Sequence, residues 1–415
     1  MSIINKISKK PGPLGQFKEF AHGYYTFPKL EGDIASHMFF QGKEILCWSL
    51  NDYLGLSNHP EVRKVDSKVA ENYGMGYPMG ARMMTGNTKY HEQLEEELAD
   101  FVHKEDSILL NYGFQGMFSA IQALVDRNDV IIYDAESHAC IVDGVHLHLG
   151  MRFTYRHNDI AHLERQLIRA GKLIENNGGA ILVITEGVFG MNGHQGKLKE
   201  IVALKEKYNF TLFVDDAHGI GVMGSDGSGT GTYQGIQEGI DLYFGTFAKA
   251  FATIGAFIAG KKVAIDFLRY NIRSQIFAKA LPLPIVLGVL TRLEIIRKGE
   301  NLRKHLWDIT HRMQKGLRML GLNIGETNTP VTPVFLSGEP QEAVLIVRDL
   351  REEHGVFCSA VAYPVVPKGV IILRLIPTAS HTFKDVDKTI RVFGAINKKL
   401  ALGEYKQPNN IRCLS

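Results

Sequence analysis

Between Pro60 and about residue 290, short apolar runs alternate with stretches of helical spacing, and this alternation constrains the fold more than any other feature of the chain. Residues 107–110, 130–133, 180–184 and 211–214 are runs such as Val-Ile-Ile-Tyr and Ala-Ile-Leu-Val-Ile, short and mostly apolar, as strands buried on both faces are. Residues 91–98 and 198–208 have amphipathic helical spacing. The pattern predicts an α/β domain with a mostly parallel sheet, where ligands gather at the carboxyl ends of the strands. After about residue 291 the order changes. A long helix over 290–320 is expected, then an extended segment at 330–335, a helix over 341–354 and a short run at 355–357. A strand at 370–375 and a last helix near 383–400 complete a smaller α+β domain with an antiparallel sheet. Residues 1–60 read as an irregular arm, with Pro11-Gly12-Pro13 and a strand pair around 38–50. The expected division is an arm (1–60), a large α/β domain (61–290), an α+β domain (291–400) and a polar tail (401–415).

Chemistry is concentrated at the ends of the predicted strands. Val214-Asp215-Asp216-Ala217-His218 closes one apolar run, and Gly245-Thr246-Phe247-Ala248-Lys249 follows in the same domain. An amine, a strand-end acid and an imidazole in this order meet the needs of a pyridoxal phosphate enzyme. The lysine forms an imine with the cofactor aldehyde, and a carboxylate keeps the pyridine nitrogen protonated so that the ring draws electrons from the substrate α-carbon. At Asn111-Tyr112-Gly113-Phe114 a strand turns into a helix through a glycine, and free N–H groups at such a helix start suit a phosphate dianion. Asp134-Ala-Glu-Ser-His138 brings a further imidazole to the same edge, placed to stack on a cofactor ring.

Composition excludes several other classes. A net charge of +3, with no dense Lys/Arg block, does not point to nucleic acid as a partner. Cys47, Cys140, Cys358 and Cys413 are scattered without a CxxC pair, which suits reduced thiols in the cytoplasm rather than a disulfide framework or zinc site. The N-terminus has no apolar signal region, and no apolar run approaches the ~18 residues of a transmembrane segment. His146-Leu-His148 lacks acidic or cysteine companions, so no metal is expected there. The glycine-rich stretch from Gly224 to Gly231 lacks the Lys-Ser/Thr of a nucleotide loop and is expected as a surface turn after His218.

With these pieces in place the chain resembles the α-oxoamine synthases, a branch of the fold-type I pyridoxal phosphate enzymes. The resemblance spans about residues 45 to 395. It is carried in order by Asn51-Asp-Tyr-Leu-Gly-Leu56, Gly80-Ala-Arg-Met-Met-Thr-Gly86, Gly113-Phe-Gln115, Asp134…His138…Asp143-Gly144 and Thr185-Glu-Gly-Val-Phe-Gly-Met-Asn-Gly193. Asp215-Asp-Ala-His218, Gly245-Thr-Phe-Ala-Lys249 and Arg374…Thr378…His381 follow. The resemblance implies that Lys249 carries the cofactor, Asp215 pairs its ring nitrogen and His218 meets its ring hydroxyl. It implies that His138 and Ala217 sandwich the ring, that Thr246 and the Gly113-Phe114 backbone hold the phosphate, and that Asn51, Arg374 and Thr378 bind the amino acid. The implied reaction is a decarboxylative condensation of an amino acid with an acyl thioester, on coenzyme A or an acyl carrier protein, in a homodimer with shared active sites. His138 would also polarise the thioester carbonyl.

Some positions depart from the family pattern. Ala248, Gly190 and Asn192 stand where relatives often carry Ser, Ser and Asp. Phe277-Ala-Lys-Ala280 replaces a Phe-Ser-x-Ser whose hydroxyl reaches the partner subunit's phosphate, and Lys279 is read as a point charge for phosphate or an anionic substrate group. The segments 267–277 and 306–310 resemble the bacterial serine palmitoyltransferase branch, which uses serine or, in a near variant, cysteate with a long acyl chain. Tyr363-Pro-Val-Val-Pro-Lys-Gly369 resembles glycine C-acetyltransferase instead, and the 8-amino-7-oxononanoate synthases share Thr185-Glu-Gly-Val-Phe189. The alternatives outside these are an aminotransferase, disfavoured by the Asn51 and Gly80 motifs, and a non-catalytic partner subunit, disfavoured by the presence of Lys249, Asp215, His138 and Arg374.

Overall fold

The computed structural model describes residues 1–406 apart from positions 11, 13, 176 and 364. The end of the expected tail, with Cys413, and the prolines at 11, 13 and 364 in the segments quoted above therefore lie outside the described residues.

The predicted apolar runs form strands of one seven-stranded sheet: β1 (Asp106–Leu110), β2 (Val130–Asp134), β3 (Met151–Tyr155), β4 (Ile181–Glu186), β5 (Thr211–Asp215), β6 (Leu242–Thr246) and β7 (Ala256–Gly260). Their spatial order is β1-β7-β6-β5-β4-β2-β3. Only β7 runs against its neighbours, and the pairs from β6 through β3 are parallel. Every residue of β4, β6 and β7 is buried, because helices cover both faces of the sheet. On one face α1 (Gly113–Leu124) and α2 (Ala139–Leu147) bring Met117, Ile121, Ile141 and Val145 into one core with Ile108, Ile131, Leu182 and Phe213 of the strands.

Three of the strands left no clear run in the sequence. β3 lies at the sheet edge and begins with two exposed residues, and β6 and β7 are diluted by Gly245, Ala256 and Ala259. The single helix expected over 290–320 is two, Leu283–Lys298 and Glu300–Met319, broken at Gly299, whose missing side chain makes continuation less favourable. The helix expected over 198–208 narrows after Ala203 to a 3₁₀ turn at Leu204–Glu206.

The chain divides into two compact units. One comprises Asn51–Gly190 with His194–Lys304 and contains the seven-stranded sheet. The other gathers Met1–Leu50, Met191–Gly193 and the chain from His305 onward. In the second unit Thr332–Ser337, Val370–Leu375 and Ser359–Val361 form an antiparallel sheet with Val370–Leu375 at its centre. The N-terminal arm joins this unit because Lys43–Cys47 pairs in parallel with Val356–Phe357, beside the hairpin to His37–Phe40. The last helix, Phe383–Ala401, starts with a capping box of Thr382 and Asp385 and accepts the Trp48 indole N–H on Thr389 at 2.9 Å. Among the described residues no helix is long and apolar enough to cross a membrane.

Candidate active site

The parallel strands end at one edge, so their last residues are neighbours. β5 ends in Asp215 and β4 in Glu186, and the two are direct partners in the sheet register. Both are buried. Burial raises the Asp215 pKa, while the Lys249 ammonium, the Ala217 N–H at 3.1 Å and His138 pull it down. Glu186 is raised well above the usual carboxylate range, first by burial and then by the charge of Asp215. Of this pair, Glu186 is the one more strongly biased toward its protonated form.

His138 caps the start of α2 and joins the same cluster. Its backbone N–H donates to Glu186 Oε1 at 2.6 Å, and its Nδ1 accepts from the Cys140 N–H at 3.3 Å. With Nδ1 accepting, the ring proton sits on Nε2. The residue is solvent-exposed, yet the surrounding protein desolvates the ring enough to lower its pKa, against the pull of Asp215 and with the help of Lys249. Phe114 stands edge-on to it, with ring centroids 6.2 Å apart. The Cys140 thiol lies 3.0 Å from His138 Nδ1 and 3.9 Å from Asp215, and burial followed by Asp215's charge pushes its pKa upward. Lys249 is half-buried in the turn after β6, where its carbonyl accepts from the Ala252 N–H at 2.8 Å. Its charge is felt at Asp215, His138, Glu186 and Cys140 alike.

A second cluster forms at the start of α1. Tyr112 provides no side-chain cap, which leaves the first-turn N–H groups pointing at this edge. A Cβ on Gly113 would sit 3.1 Å from Thr246 Oγ1, tighter than an ordinary contact, so the bare backbone eases the helix start's approach to the end of β6. Thr246 accepts from the Ala248 N–H at 3.3 Å, and Asn111 donates to the Lys279 carbonyl at 2.7 Å, leaving the Lys279 side chain exposed. Helix N–H groups, a hydroxyl and a nearby backbone segment bearing an ammonium form a cup suited to an anion. This fits the phosphate of pyridoxal phosphate, and the amine and buried acid fit its aldehyde and ring nitrogen.

His218 occupies the far side of the cluster. Its Nδ1 lies 2.7 Å from the buried Tyr53 hydroxyl, and a Cβ on Gly190 would fall 2.2 Å from its Nε2. Asn51 is half-buried and begins the turn that carries Tyr53, whose N–H donates to the Asn51 carbonyl at 2.9 Å. Lys249, Asp215, His138, Ala217, His218, Gly113, Phe114, Thr246 and Asn51 all belong to the sheet-bearing unit, whereas Arg374 and Thr378 belong to the other. In that unit Arg374 is half-buried on the central strand, between Pro333 and Ser359. The buried Thr378 hydroxyl is engaged by His381 Nδ1 at 2.8 Å and by Ser380 at 2.7 Å.

The family model for class I and II aminotransferases matches residues 43–393. A cysteate-C-fatty acyltransferase of Capnocytophaga ochracea is 59% identical over 98% of this chain and 97% of its own length. An 8-amino-7-oxononanoate synthase of Thermoanaerobacter pseudethanolicus is 38% identical over 96% of this chain and 99% of its own. The solved serine palmitoyltransferase of Sphingomonas wittichii superposes with a TM-score of 0.88 at 26% identity, covering 97% of this chain and all of that one. The chain belongs to the α-oxoamine synthases. They are pyridoxal-phosphate-dependent acyltransferases of fold type I.

Within this synthase the neighbouring carboxylates Asp215 and Asp216 have separate surroundings. Asp216 accepts from the Thr230 N–H at 2.7 Å, the Thr230 hydroxyl at 2.6 Å and the Tyr243 hydroxyl at 2.9 Å. Its pKa is raised to about 7 by burial, opposed by these donors. The glycine-rich stretch expected as a surface turn is thus mostly buried, because it wraps this carboxylate; a Cβ on Gly229 would stand 2.3 Å from Asp216 Oδ2. His148 is also structural, with Nε2 3.1 Å from the Asp129 carbonyl. Among the described residues no group of three or more His, Cys, Asp or Glu is placed to hold a metal ion. Sequence reasoning passed over Glu186, Tyr53 and Cys140. Glu186 carried the same mark as Asp215, an acid at the end of an apolar run.

Proposed function

We propose that this synthase condenses cysteate, or serine as the second choice, with a long-chain acyl thioester, releasing carbon dioxide and the thiol and forming a 2-amino-3-oxo sulfonate or the corresponding sphingolipid base. The observation that carries this reading is the 59% identity, over nearly the full length, to a cysteate-C-fatty acyltransferase. Lys249 would hold the cofactor covalently, Asp215 would pair its ring nitrogen, and the Gly113-Phe114 N–H groups with Thr246 would hold its phosphate. His138 and Ala217 would flank the ring, His218 would meet its hydroxyl, and Asn51, Arg374 and Thr378 would bind the amino acid. Bound there, the cofactor supplies an electron sink for the substrate α-carbon.

The chain's own residues do the rest. Arg374 would hold the substrate carboxylate and so orient the α-carbon whose bond is broken. The Lys249 amine, once released, takes the α-proton. Neutral His138 offers its Nε2 proton to the thioester oxygen. A neutral Glu186 would leave Asp215 to carry the negative charge at the ring nitrogen.

A homodimer working in the cytoplasm belongs to the same reading. Tyr73, Met75, Met79, Met83, Met84 and Phe277 are exposed in the sheet-bearing unit, apolar surface of the kind a second copy of the chain would cover. The buried, unpaired Cys47, Cys140 and Cys358 suit a reducing compartment.

The experiment is a product assay with purified holoenzyme, palmitoyl-coenzyme A and cysteate, serine, glycine or alanine in turn, read by mass spectrometry and thiol release. Turnover favouring cysteate supports the reading. Preference for glycine with acetyl-coenzyme A, or for alanine, would replace it.

A further inference from the structure

The first eighteen residues contain no aspartate or glutamate but hold lysines at 6, 9, 10 and 18. Within them lies the short helix Ile3–Ile7, capped by Ser2, whose hydroxyl accepts from the Asn5 N–H at 3.2 Å. None of its residues is buried. Ile3 is 76% exposed, Ile4 69% and Ile7 55%, and Leu14 beyond it is 56% exposed. At the helical advance of ~100° per residue the three isoleucines fall within one stripe about 100° wide, with Lys6 on its flank and Lys9-Lys10 following.

A helix this short does not hold in water through its own hydrogen bonds, and here no tertiary packing supports it. Three isoleucines facing solvent on one stripe need a cover. The cover must accept apolar side chains and also cations that have no carboxylate within the first eighteen residues. An acidic protein groove would satisfy the lysines without needing the isoleucines, and nucleic acid would leave the isoleucines wet. The headgroup–acyl boundary of an anionic bilayer takes both, with the apolar stripe inserted and the lysines at the phosphates.

We infer that the Ile3–Ile7 helix, with Lys6, Lys9 and Lys10, is a docking face for an anionic lipid surface. The inference rests on this arm alone and not on the choice of substrate. A face of this kind gives weak, reversible attachment, sensitive to ionic strength, and is distinct from a membrane span.

The test is co-sedimentation of the full-length holoenzyme with vesicles of phosphatidylcholine alone or mixed with phosphatidylglycerol. The wild type is expected to pellet with the mixed vesicles only, and to be released by salt. Each lysine at such a surface changes partition by about fivefold, so Lys6→Gln with Lys9→Gln and Lys10→Gln together should lower it by about a hundredfold. Ile3→Ser with Ile4→Ser and Ile7→Ser should lower it at least tenfold. Both variants should keep wild-type turnover with the soluble acyl thioester and wild-type mass by light scattering. A wild type that stays in the supernatant, or variants that bind as it does, would overturn the inference. A fall in mass for the isoleucine variant would also overturn it, by assigning the stripe to a second copy of the chain.

Discussion

Glu186 stands directly across from Asp215 on adjoining parallel strands, and the Glu186 carboxyl accepts the His138 N–H at 2.6 Å. Two buried acids side by side do not both ionise readily. If Glu186 holds the proton, Glu186→Gln keeps a neutral acceptor of the same shape, and cofactor affinity should stay within about threefold. Glu186→Ala leaves the His138 N–H unsatisfied and should weaken affinity roughly ten- to a hundredfold. Titration of the apo-enzyme with pyridoxal phosphate, followed by absorbance, measures both. Equal losses in the two variants would mean that Glu186 acts as a charge.

The Tyr53 hydroxyl, 2.7 Å from His218 Nδ1, fixes which way the His218 ring faces. Tyr53→Phe removes one hydrogen bond and no packing volume, which amounts to about 1 kcal/mol, or roughly fivefold in kcat/KM. A loss confined to kcat, with a shifted pH profile and unchanged thermal midpoint, would mark Tyr53 as positioning His218. An unchanged profile would assign it to packing.

Gly190 stands where relatives often carry serine, and its missing side chain is what admits His218. A Cβ there would fall 2.2 Å from Nε2, well inside contact distance. Gly190→Ser and Gly190→Ala should therefore turn the His218 ring aside, shift the absorbance of the bound cofactor and cost about tenfold in turnover. If both variants retain the wild-type spectrum, the ring has another resting place.

Most of the sheet-bearing unit was legible because its strands are buried on both faces, so hydrophobicity alone marks them, and because acid, amine and imidazole stand at their ends. Ala256–Gly260 escaped notice because three of its five residues are alanine or glycine, whose burial comes from neighbours rather than from their own side chains. Asp216 shows a different limit. The Asp215-Asp216 pair reads as two equivalent acids, and only the fold separates them, turning one toward Lys249 and enclosing the other with Thr230 and Tyr243. The glycines around Asp216 and His218 likewise read as loop or turn residues until the close approaches they permit are seen. The arm's place beside Val356–Phe357 is a contact across some three hundred residues, which no local pattern records.

Two buried histidines should each withdraw stability from the fold as the solution is acidified, while buried Asp216, raised to about 7, works in the opposite sense. His91 and His381 are buried, one in each unit, and burial lowers the pKa of each from 6.5 to about 4. His91 lies between Thr88 Oγ1 at 2.8 Å and the Leu281 carbonyl at 3.0 Å; His381 stacks on Trp48 and contacts the Cys47 carbonyl at 3.0 Å. The folded pKa lies below the unfolded one, so the folded state binds fewer protons between pH 6.5 and 4. The stability each neutral ring secures is complete above pH 6.5 and drains away as pH falls through that window, reaching about 3 kcal/mol per histidine below pH 4. Urea midpoints at pH 7.5, 6 and 5, at fixed cofactor concentration, report these opposing contributions together in the wild type, and a variant isolates the histidine's share. His91→Gln should be less stable at pH 7.5, because the ring's packing is lost, yet its stability at pH 5 relative to pH 7.5 should exceed the wild type's by about 2 kcal/mol. An unchanged slope in that variant would show that His91 is not among the groups that take up protons when the chain unfolds in acid.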